Sequence, residues 1–327
     1  MSKFLKIAFF FFIGILLIWW SLHQIPPQEW DKFTIALKKS KFWFIFPVGL
    51  ILGLSHLVRA LRWRLIMEPL GYKPSIINTF LAVLIGYLAN LAIPRLGEVL
   101  KCTLLSKYEK VPAEKIVGTI VAERAFDVIS LGLIFILALT LQFSVVDAGW
   151  NQFKAYGKAA GDASHSNQNM YIIIGIILLV AIALLWFFKS KMQNAVGSLK
   201  KIIKGVWEGV LSATKLKKHN LFFFYSFAIW FLYLLATYVG LYATEGTGSS
   251  FQTAISCLAF ASIGMIITPG GIGAYAYFMA KVLELNGVEY TLGLANGTLQ
   301  WFSQFIIILV LGGIALIILP LFNKQKN

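Results

Sequence analysis

The sequence has little charge, few cysteines and few histidines for a chain of 327 residues. Asp, Glu, Lys and Arg together make up 13% of it, which is about half of the ~25% found in soluble domains. Hydrophobic residues make up 58%. A soluble protein of this length has to cover its surface with charged side chains, and this chain has too few of them. The composition therefore excludes a soluble globular protein and indicates an integral membrane protein.

The scarcity of cysteine and histidine excludes other classes. Cys102 and Cys257 are too few for a disulfide framework. The histidines are scattered and no Ser/His/Asp or paired-Cys pattern occurs, so we expect no metal site, no cofactor and no enzyme activity. The net charge of +15 could indicate nucleic acid. Basic cytoplasmic loops that face anionic lipid explain this charge without a soluble binding domain, so we expect no nucleic-acid partner.

The chain contains a series of uncharged apolar runs, and about 20 such residues cross a bilayer as a helix. The first run, 7–22, has Trp19 and Trp20 where a signal peptide needs small residues for cleavage, so we expect an uncleaved helix. The later runs are 42–58, 76–94, 128–146, 170–188, 221–244, 246–280 and 290–323. We predict an all-α polytopic membrane protein with about six full spans and two hairpins.

Two of these runs are interrupted by proline and glycine. Pro94 ends the run 76–94 and is followed by Gly97, and Pro269 begins the segment Pro-Gly-Gly-Ile-Gly inside the run 246–280. Proline removes a helical donor and glycine permits any turn, so a straight helix is not expected at either place. We predict structural hinges at these three residues.

The charge distribution sets the direction of each segment. Most Lys and Arg residues lie on one side if both termini are cytoplasmic, as the positive-inside rule requires, although the loop with Lys38 and Lys41 opposes this orientation. In this orientation 76–110 and 251–287 must each return to the face from which they start. We therefore predict that both segments are hairpins, formed either by two tilted helices or by a re-entrant pair that meets at the apex.

The order helix, broken hairpin, long helix occurs in 42–143 and again in 221–327, and the second unit starts from the opposite face. We interpret these units as inverted repeats within one membrane domain, 1–327. The remaining segments are 1–41, a first helix and external loop, and 144–220, an external loop, a connecting helix and a basic cytoplasmic helix. Paired broken segments in inverted repeats point to a substrate site at the bilayer midplane. Two unrelated kinked helices are the alternative.

Ionisable residues at membrane depth are costly and normally pair or line a polar cavity. Two groups of them follow the first apex: Arg95, Glu98 and Lys101 on one helical face, and Glu123, Arg124 and Asp127 on the next predicted helix. We interpret Arg95 and Arg124 as a cationic pocket for a phosphate-bearing headgroup, because the planar guanidinium holds phosphate at two points. The carboxylates would orient these arginines. The alternative is an ion-pair network that only clamps the hairpin to the helix.

Further polar candidates lie on the flanking helices. Arg59, Arg62 and Arg64 close the second predicted helix. The first two would contribute to the site, and the alternative is that all three are snorkelling anchors at the cytoplasmic interface. Gln300 and Gln304 on the last predicted helix would complete a polar lining, or would hydrogen-bond between helices.

The second apex contains Gly270, Gly271 and Gly273. A nucleotide-binding glycine loop needs a preceding strand, whereas an apolar helix is predicted here, so the sequence argues against that interpretation. A helix that starts after these glycines would aim free N–H groups at an anion and contribute to substrate binding. The alternative is that the glycines only allow a bend and close helix packing.

Several motifs resemble a known family. The segments are LVRALRWRLIM at 57–67, NLAIPRLGEVLKCTLL at 90–105, AERAFD at 122–127 and TPGGIGAYAY at 268–277. They resemble the lysylphosphatidylglycerol synthase transmembrane region, a flippase-like family also found as the N-terminal half of the multiple peptide resistance factor. The resemblance covers nearly the whole chain and is most specific in the P-R-x-G-E and E-R-x-x-D patterns.

The resemblance implies a multi-pass protein of the bacterial cytoplasmic membrane that moves lipid headgroups between leaflets. The family's motif positions correspond to Pro94, Arg95, Gly97, Glu98, Glu123, Arg124 and Asp127, and to Pro269, Gly270, Gly271 and Gly273. Tyr275 and Tyr277 stand where some relatives have an acidic residue. The chain ends at Asn327 without room for the soluble aminoacyl-transfer domain of the full synthase, so we expect no synthase activity.

We therefore expect a lipid flippase whose partners are membrane lipids: an anionic or zwitterionic phospholipid, or a polyprenyl phosphate. The alternative is a membrane partner or scaffold of a separately encoded lipid- or glycan-modifying enzyme. A third hypothesis is an intramembrane enzyme that acts on a lipid phosphate, but the sequence contains no recognisable nucleophile or metal set for it. The oligomeric state is open.

Overall fold

The computed structural model describes residues 3–93, 95–143 and 216–324, with side chains from residue 11 onward. These ranges contain ten α-helices and no strand, which confirms the predicted all-α class. The helices are α1 (Lys3–His23), α2 (Trp30–Lys39), α3 (Ile45–Met67), α4 (Ile76–Ala92), α5 (Leu96–Glu109), α6 (Ala113–Leu141), α7 (His219–Leu241), α8 (Phe251–Ile267), α9 (Ala274–Leu285) and α10 (Tyr290–Lys324). By contact density the chain divides into two units, Met1–Gln142 with Gly209–Asn327, and Phe143–Glu208, and all these helices belong to the first.

The described helices include long apolar ones that can cross a bilayer. These are Phe42–Leu70, Ala113–Leu141, His219–Leu241 and Tyr290–Lys324. Phe11–His23, Ile76–Ala92 and Phe251–Ile267 are apolar but shorter. Of the predicted full spans, 170–188 lies outside the described residues, as do the predicted external loop and basic helix up to residue 215. The chain is thus a polytopic α-helical membrane protein, with spans in both of the predicted repeats.

The first broken run forms a hairpin of α4 and α5. The turn includes Arg95, whose φ of 69° is in the left-handed region, and the N–H of Gly97 donates to Asn90 Oδ1 over 2.8 Å. The two helices touch backbone to backbone, since a Cβ added at Gly97 would lie 2.0 Å from the carbonyl oxygen of Gly86. This contact explains why a glycine follows the apex. Pro94 itself lies outside the described residues.

The second broken run forms a hairpin of α8 and α9. Between them the backbone takes one short 3₁₀ turn, Pro269–Gly271, and Gly270, Gly271 and Gly273 all have positive φ, which an L side chain rarely adopts. Pro269 lies at the first position of this turn, where its missing N–H costs nothing. Proline and glycine therefore break this run as the sequence predicts.

Helices of each repeat pack against helices of the other repeat. The opening helices α3 and α7 lie against each other and are antiparallel. Lys41 N, just before α3, donates to Ala243 O, just after α7 (2.7 Å). Arg62 Nη1, near the end of α3, donates to Ser226 Oγ near the start of α7 (3.3 Å). The hairpin helix α4 packs on the long helix α10, and the other hairpin helix α8 packs on the long helix α6. The α4 apex also contacts the Pro269–Gly271 turn. This is the arrangement expected of inverted repeats, and it brings both apices together.

Candidate functional site

A cavity of about 1090 Å³ lies where the two apices meet. Its wall follows one face of α3 through Ile45, Val48, Leu52 and His56, so it runs from the start of that helix to about its middle. Most of the remaining lining comes from α4, α7, α8 and α10 and from the two apices. Both hairpins therefore contribute to this cavity.

Among the described residues that line this cavity, the charged ones are all cations: Lys41, Arg95 and Arg124. Arg95 lies at the first apex and is exposed. Arg124, on α6, donates from Nη2 to Glu98 Oε1 at 2.7 Å, and its Nη1 lies 3.8 Å from Asp127 Oδ2. Its side chain is still 40% exposed. A guanidinium has five N–H donors, so Arg124 can hold its carboxylate partners and bind an anion in the cavity as well.

Where the α3 wall of the cavity ends, a network of buried charges joins α3 to α6. Arg59 Nη1 donates to Asp127 Oδ2 (2.6 Å) and to Glu123 Oε1 (2.9 Å), and Arg62 Nη2 donates to Asp127 Oδ1 (2.7 Å). The side chains of Arg59, Arg62 and Glu123 are 3%, 0% and 0% exposed. Buried charges persist only when they are paired, and here each arginine meets a carboxylate directly.

Lys101 extends this network from the first hairpin. Its Nζ lies 3.7 Å from Glu123 Oε2 and sits over the rings of Trp63 (5.2 Å) and Tyr87 (5.7 Å). Within the described residues neither Lys101 Nζ nor Glu123 Oε2 has a hydrogen-bond partner. The aromatic faces compensate part of the ammonium charge through cation–π attraction. Lys101 is not among the residues that line the cavity, whereas Arg95 and Arg124 are.

The positions of Arg59 and Arg62 decide between the two interpretations of the helix-end arginines. The snorkelling interpretation is wrong for both, because they are almost fully buried and paired with α6 carboxylates. Neither lines the cavity. Arg64 differs, because it is only partly buried and its Nε donates to the backbone oxygen of Pro74 over 2.7 Å.

The apex glycines separate into two kinds. Gly270 lines the cavity, and its carbonyl oxygen accepts a 2.7 Å hydrogen bond from Trp301 Nε1. Gly271 and Gly273 are not among the lining residues. A Cβ on Gly271 would meet Met265 Sδ at 2.3 Å, and one on Gly273 would meet the Gly14 carbonyl oxygen of α1 at 2.6 Å. These two glycines serve close packing, the alternative that the sequence left open.

Gln300 and Gln304 both line the cavity. Gln304 Nε2 donates to the hydroxyl of Tyr275 on α9 over 2.8 Å, and Gln300 Nε2 donates to Asn296 Oδ1, one turn earlier on α10, over 2.8 Å. The two glutamines thus complete a polar lining while they are held by hydrogen bonds.

The sequence did not single out the aromatic partners of the site. The ring of Tyr87 lies 4.5 Å from that of His56 and 5.8 Å from the guanidinium of Arg59, and the hydroxyl of Tyr233 accepts a 3.2 Å bond from Arg59 Nη2. His56, Tyr87 and Tyr233 also line the cavity. Aromatic residues make up 15% of the chain, so their presence in an apolar helix carries no positional signal.

Within the described residues no group of His, Cys, Asp or Glu has the arrangement of a metal site. The carboxylates of the site have arginine or lysine partners instead.

Comparison with known proteins agrees with the motifs. The family model described as the lysylphosphatidylglycerol synthase TM region matches residues 4–312. A UPF0104 membrane protein of Pyrococcus horikoshii is 24% identical over 330 residues, which cover 96% of each chain. A second UPF0104 membrane protein, of Methanocaldococcus jannaschii, is 30% identical over 100 residues, 30% of each chain. No solved structure matches the chain.

Proposed function

Because the chain belongs to the lysylphosphatidylglycerol synthase transmembrane-region family, we propose that it translocates phosphate-bearing lipids across the cytoplasmic membrane. The observation that carries this proposal is Arg124. It is held by Glu98 and Asp127 while its partly exposed guanidinium lines a cavity between two hairpin apices. Charged groups at such a depth are costly and mark substrate paths.

The wall of the cavity supports a lipid rather than a water-soluble substrate. Between the apices it includes Ile93, Val99 and Ile266, which are 44%, 59% and 71% exposed on the apolar surface of the chain. A lipid whose phosphate binds Arg124 would leave its tails outside, along these side chains. The headgroup would then move through a polar interior while the tails stay in the bilayer.

In this proposal the buried network forms the closed end of the path. Arg59, Arg62, Glu123 and Asp127 bridge α3 and α6 beyond the cavity and do not line it. A headgroup can pass only if these contacts rearrange. Inverted repeats provide such a change, because one repeat rocks against the other around a central site.

The proposal makes the chain a carrier rather than an enzyme, with both termini in the cytoplasm. It is tested by the accessibility of labelled phosphatidylglycerol headgroups in proteoliposomes that contain this protein alone. We expect the native chain to move label between leaflets and Arg124→Gln to abolish the movement. Arg64→Gln, which alters an arginine outside the cavity, should leave it unchanged.

Two outcomes would overturn the proposal. Equal loss in both arginine variants would mean that Arg124 has no special role. A folded native chain without any activity would favour the alternative, a membrane partner of a separately encoded enzyme.

A further inference from the structure

Besides its cations and a majority of apolar residues, the cavity lining contains polar side chains that carry no charge. They are Asn90, Tyr233, Thr237, Ser262, Thr268, Tyr275, Gln300, Ser303 and Gln304, together with His56 and Tyr87 beside the arginine network. No Asp or Glu occurs among the described residues that line the cavity. The polar part of the wall therefore consists of hydroxyls and amides around the cations, and the rest of the wall is apolar.

Several of these groups keep hydrogen-bonding capacity that no other described residue uses. The Tyr275 hydroxyl accepts from Gln304, so its own proton is free to be donated. Asn90 uses its oxygen to accept from Gly97, which leaves its amide N–H groups. Gln300 uses its amide nitrogen on Asn296, and its oxygen has no partner within the described residues. The wall thus offers both donors and acceptors, which is what alcohol groups require.

The nearby carboxylates are already bound to cations. Glu98 accepts from Arg124, and Asp127 accepts from Arg59 and Arg62. Neither carboxylate lines the cavity. An ammonium group in the cavity would therefore face Lys41, Arg95 and Arg124 without a counter-charge. Like charges repel, and a buried unpaired charge is expensive.

The size of the cavity allows a headgroup larger than phosphate. Its volume of about 1090 Å³ is slightly above the range of ~300–1,000 Å³ found for ligand sites. A phosphate bound at Arg124 fills only part of it. The neutral polar groups on α4, α7, α9 and α10 then surround whatever the phosphate carries.

Building on the proposed function, we propose that the cargo is a lipid phosphate with an uncharged, hydroxyl-rich headgroup, such as a polyol or a sugar. Arg124 and Arg95 would take the phosphate, and Gln304, Tyr275 and Asn90 would take the hydroxyls. An amine-bearing headgroup is disfavoured. A glycerophospholipid with a polyol headgroup and a polyprenyl phosphate sugar meet this description equally, because both carry a phosphate and hydroxyls and they differ in their tails.

The test is lipid binding to the purified full chain in detergent, measured by native mass spectrometry with defined lipids. Phosphatidylinositol and polyprenyl phosphate mannose carry hydroxyls, phosphatidate carries phosphate alone, and lysylphosphatidylglycerol carries amines. We expect the hydroxylated lipids to bind at least about tenfold tighter than lysylphosphatidylglycerol, a difference of about 1.4 kcal/mol. Phosphatidate should lie between them. The tighter of the two hydroxylated lipids identifies the tail type.

Variants separate the two halves of the site. Gln304→Leu should weaken binding of the hydroxylated lipids and leave phosphatidate binding unchanged, which also shows that the variant is folded. Gln304→Glu places a carboxylate in the cavity and should raise the affinity for lysylphosphatidylglycerol relative to phosphatidylinositol. Arg124→Gln should weaken the binding of every phosphate-bearing lipid.

The outcomes are distinct for the two proposals. If lysylphosphatidylglycerol binds as tightly as phosphatidylinositol, and both still depend on Arg124, the inference on the headgroup is overturned and the proposed function stands. If phosphatidate binding does not depend on Arg124, the phosphate site itself is wrong and both proposals fail.

Discussion

Gln142, just beyond the end of α6, donates from Nε2 to Asn286 Oδ1, just beyond the end of α9, over 2.7 Å. The side-chain oxygen of Gln142 accepts from Ser256 Oγ on α8, also at 2.7 Å. One side chain therefore ties both arms of the second hairpin to the long helix of the first repeat. These hydrogen bonds lie at the base of the hairpin, at the end of α8 that is remote from the apex.

The first hairpin has a matching contact. Asn78, near the start of α4, donates to Glu109 Oε1 at the end of α5 (2.5 Å) and exchanges two hydrogen bonds with Asn323 on α10 (2.9 and 2.8 Å). Each hairpin is thus fixed at its base to the long helix of the other repeat. The apices, which line the cavity, lie at the opposite ends of the two hairpins.

This arrangement predicts that Gln142→Leu destabilises the fold. Ser256 and Asn286 would each lose a side-chain partner. Hydrogen bonds between membrane helices contribute on average about 0.6 kcal/mol and at most about 1.7, so we expect a loss of about 1–2 kcal/mol in the free energy of unfolding in an SDS titration. Thr140→Val is the control, because Thr140 is exposed and bonds only to its own helix. Equal stabilities of the two variants would contradict the role of the contact.

The close approach of α4 and α5 predicts a strong effect of Gly97→Ala. The added methyl would lie 2.0 Å from the Gly86 carbonyl oxygen, so the two helices have to separate. Overpacking of this kind costs about 1–3 kcal/mol, and the shift would also displace Arg95 and Glu98. We expect lower thermal stability and weaker phosphatidate binding.

Gly118→Ala is the matched control on α6. Nothing lies within 4 Å of a Cβ at Gly118, and alanine favours a helix by up to about 1 kcal/mol over glycine. This variant should be as stable as the native chain or slightly more so. Comparable destabilisation of both glycine variants would mean that the hairpin contact is looser than described.

The buried network predicts that Asp127→Asn is severe. Asp127 accepts from both Arg59 and Arg62, so the change leaves two buried guanidinium groups short of negative charge. Breaking a buried pair in this way costs about 3–5 kcal/mol. Thermal unfolding of the detergent-purified variant should show a large drop in its midpoint.

Glu98→Gln is the comparison for that variant. The Glu98–Arg124 pair is partly exposed, with side chains 26% and 40% accessible, and exposed pairs contribute about 0–1 kcal/mol. We expect near-native stability but altered lipid binding, because Arg124 loses its orienting partner. A Glu98→Gln variant as unstable as Asp127→Asn would show that both carboxylates act mainly as structural clamps.

The breaks in the fold are predictable from the sequence because they are local. Proline lacks a donor and glycine accepts positive φ, so the apices around Arg95 and at Pro269–Gly271 follow from residue types alone. What a glycine does there is a different matter. Gly270 lines the cavity, whereas Gly271 allows the close approach of Met265 and Gly273 that of α1. Only the packing of the neighbouring helices distinguishes the lining glycine from the packing glycines.

The pairing of charges is predictable only in part. The shared helical face of Arg95, Glu98 and Lys101 does not determine which neighbour each residue meets: Lys101 turns to Glu123, and Glu98 turns to Arg124. Arg59 and its partners are more than 60 residues apart in the chain. Arginines at the end of an apolar run fit a membrane interface equally well, so the sequence alone cannot place Arg59 inside the protein.

The hairpin geometry makes a prediction about membrane sidedness. Lys73 precedes α4 and Lys107 lies near the end of α5, and the bond between Asn78 and Glu109 keeps these two ends together. We expect Lys73→Cys and Lys107→Cys to react with a membrane-impermeant maleimide from the same face, the cytoplasmic one. Lys73 and Lys107 are exposed, as is Lys39, which serves as the reference position below.

Lys39→Cys provides the opposite reference. It lies at the end of α2, close to the Lys41–Ala243 contact at the other end of the α3–α7 pair, and should react only from the external face. The native cysteines, Cys102 and Cys257, are buried, so their background should be low in intact membranes. Labelling of positions 73 and 107 from opposite faces would show that α4 and α5 cross the membrane together and do not form a hairpin that returns to the same face. Labelling of all three positions with the faces exchanged would keep the hairpin and invert the proposed orientation.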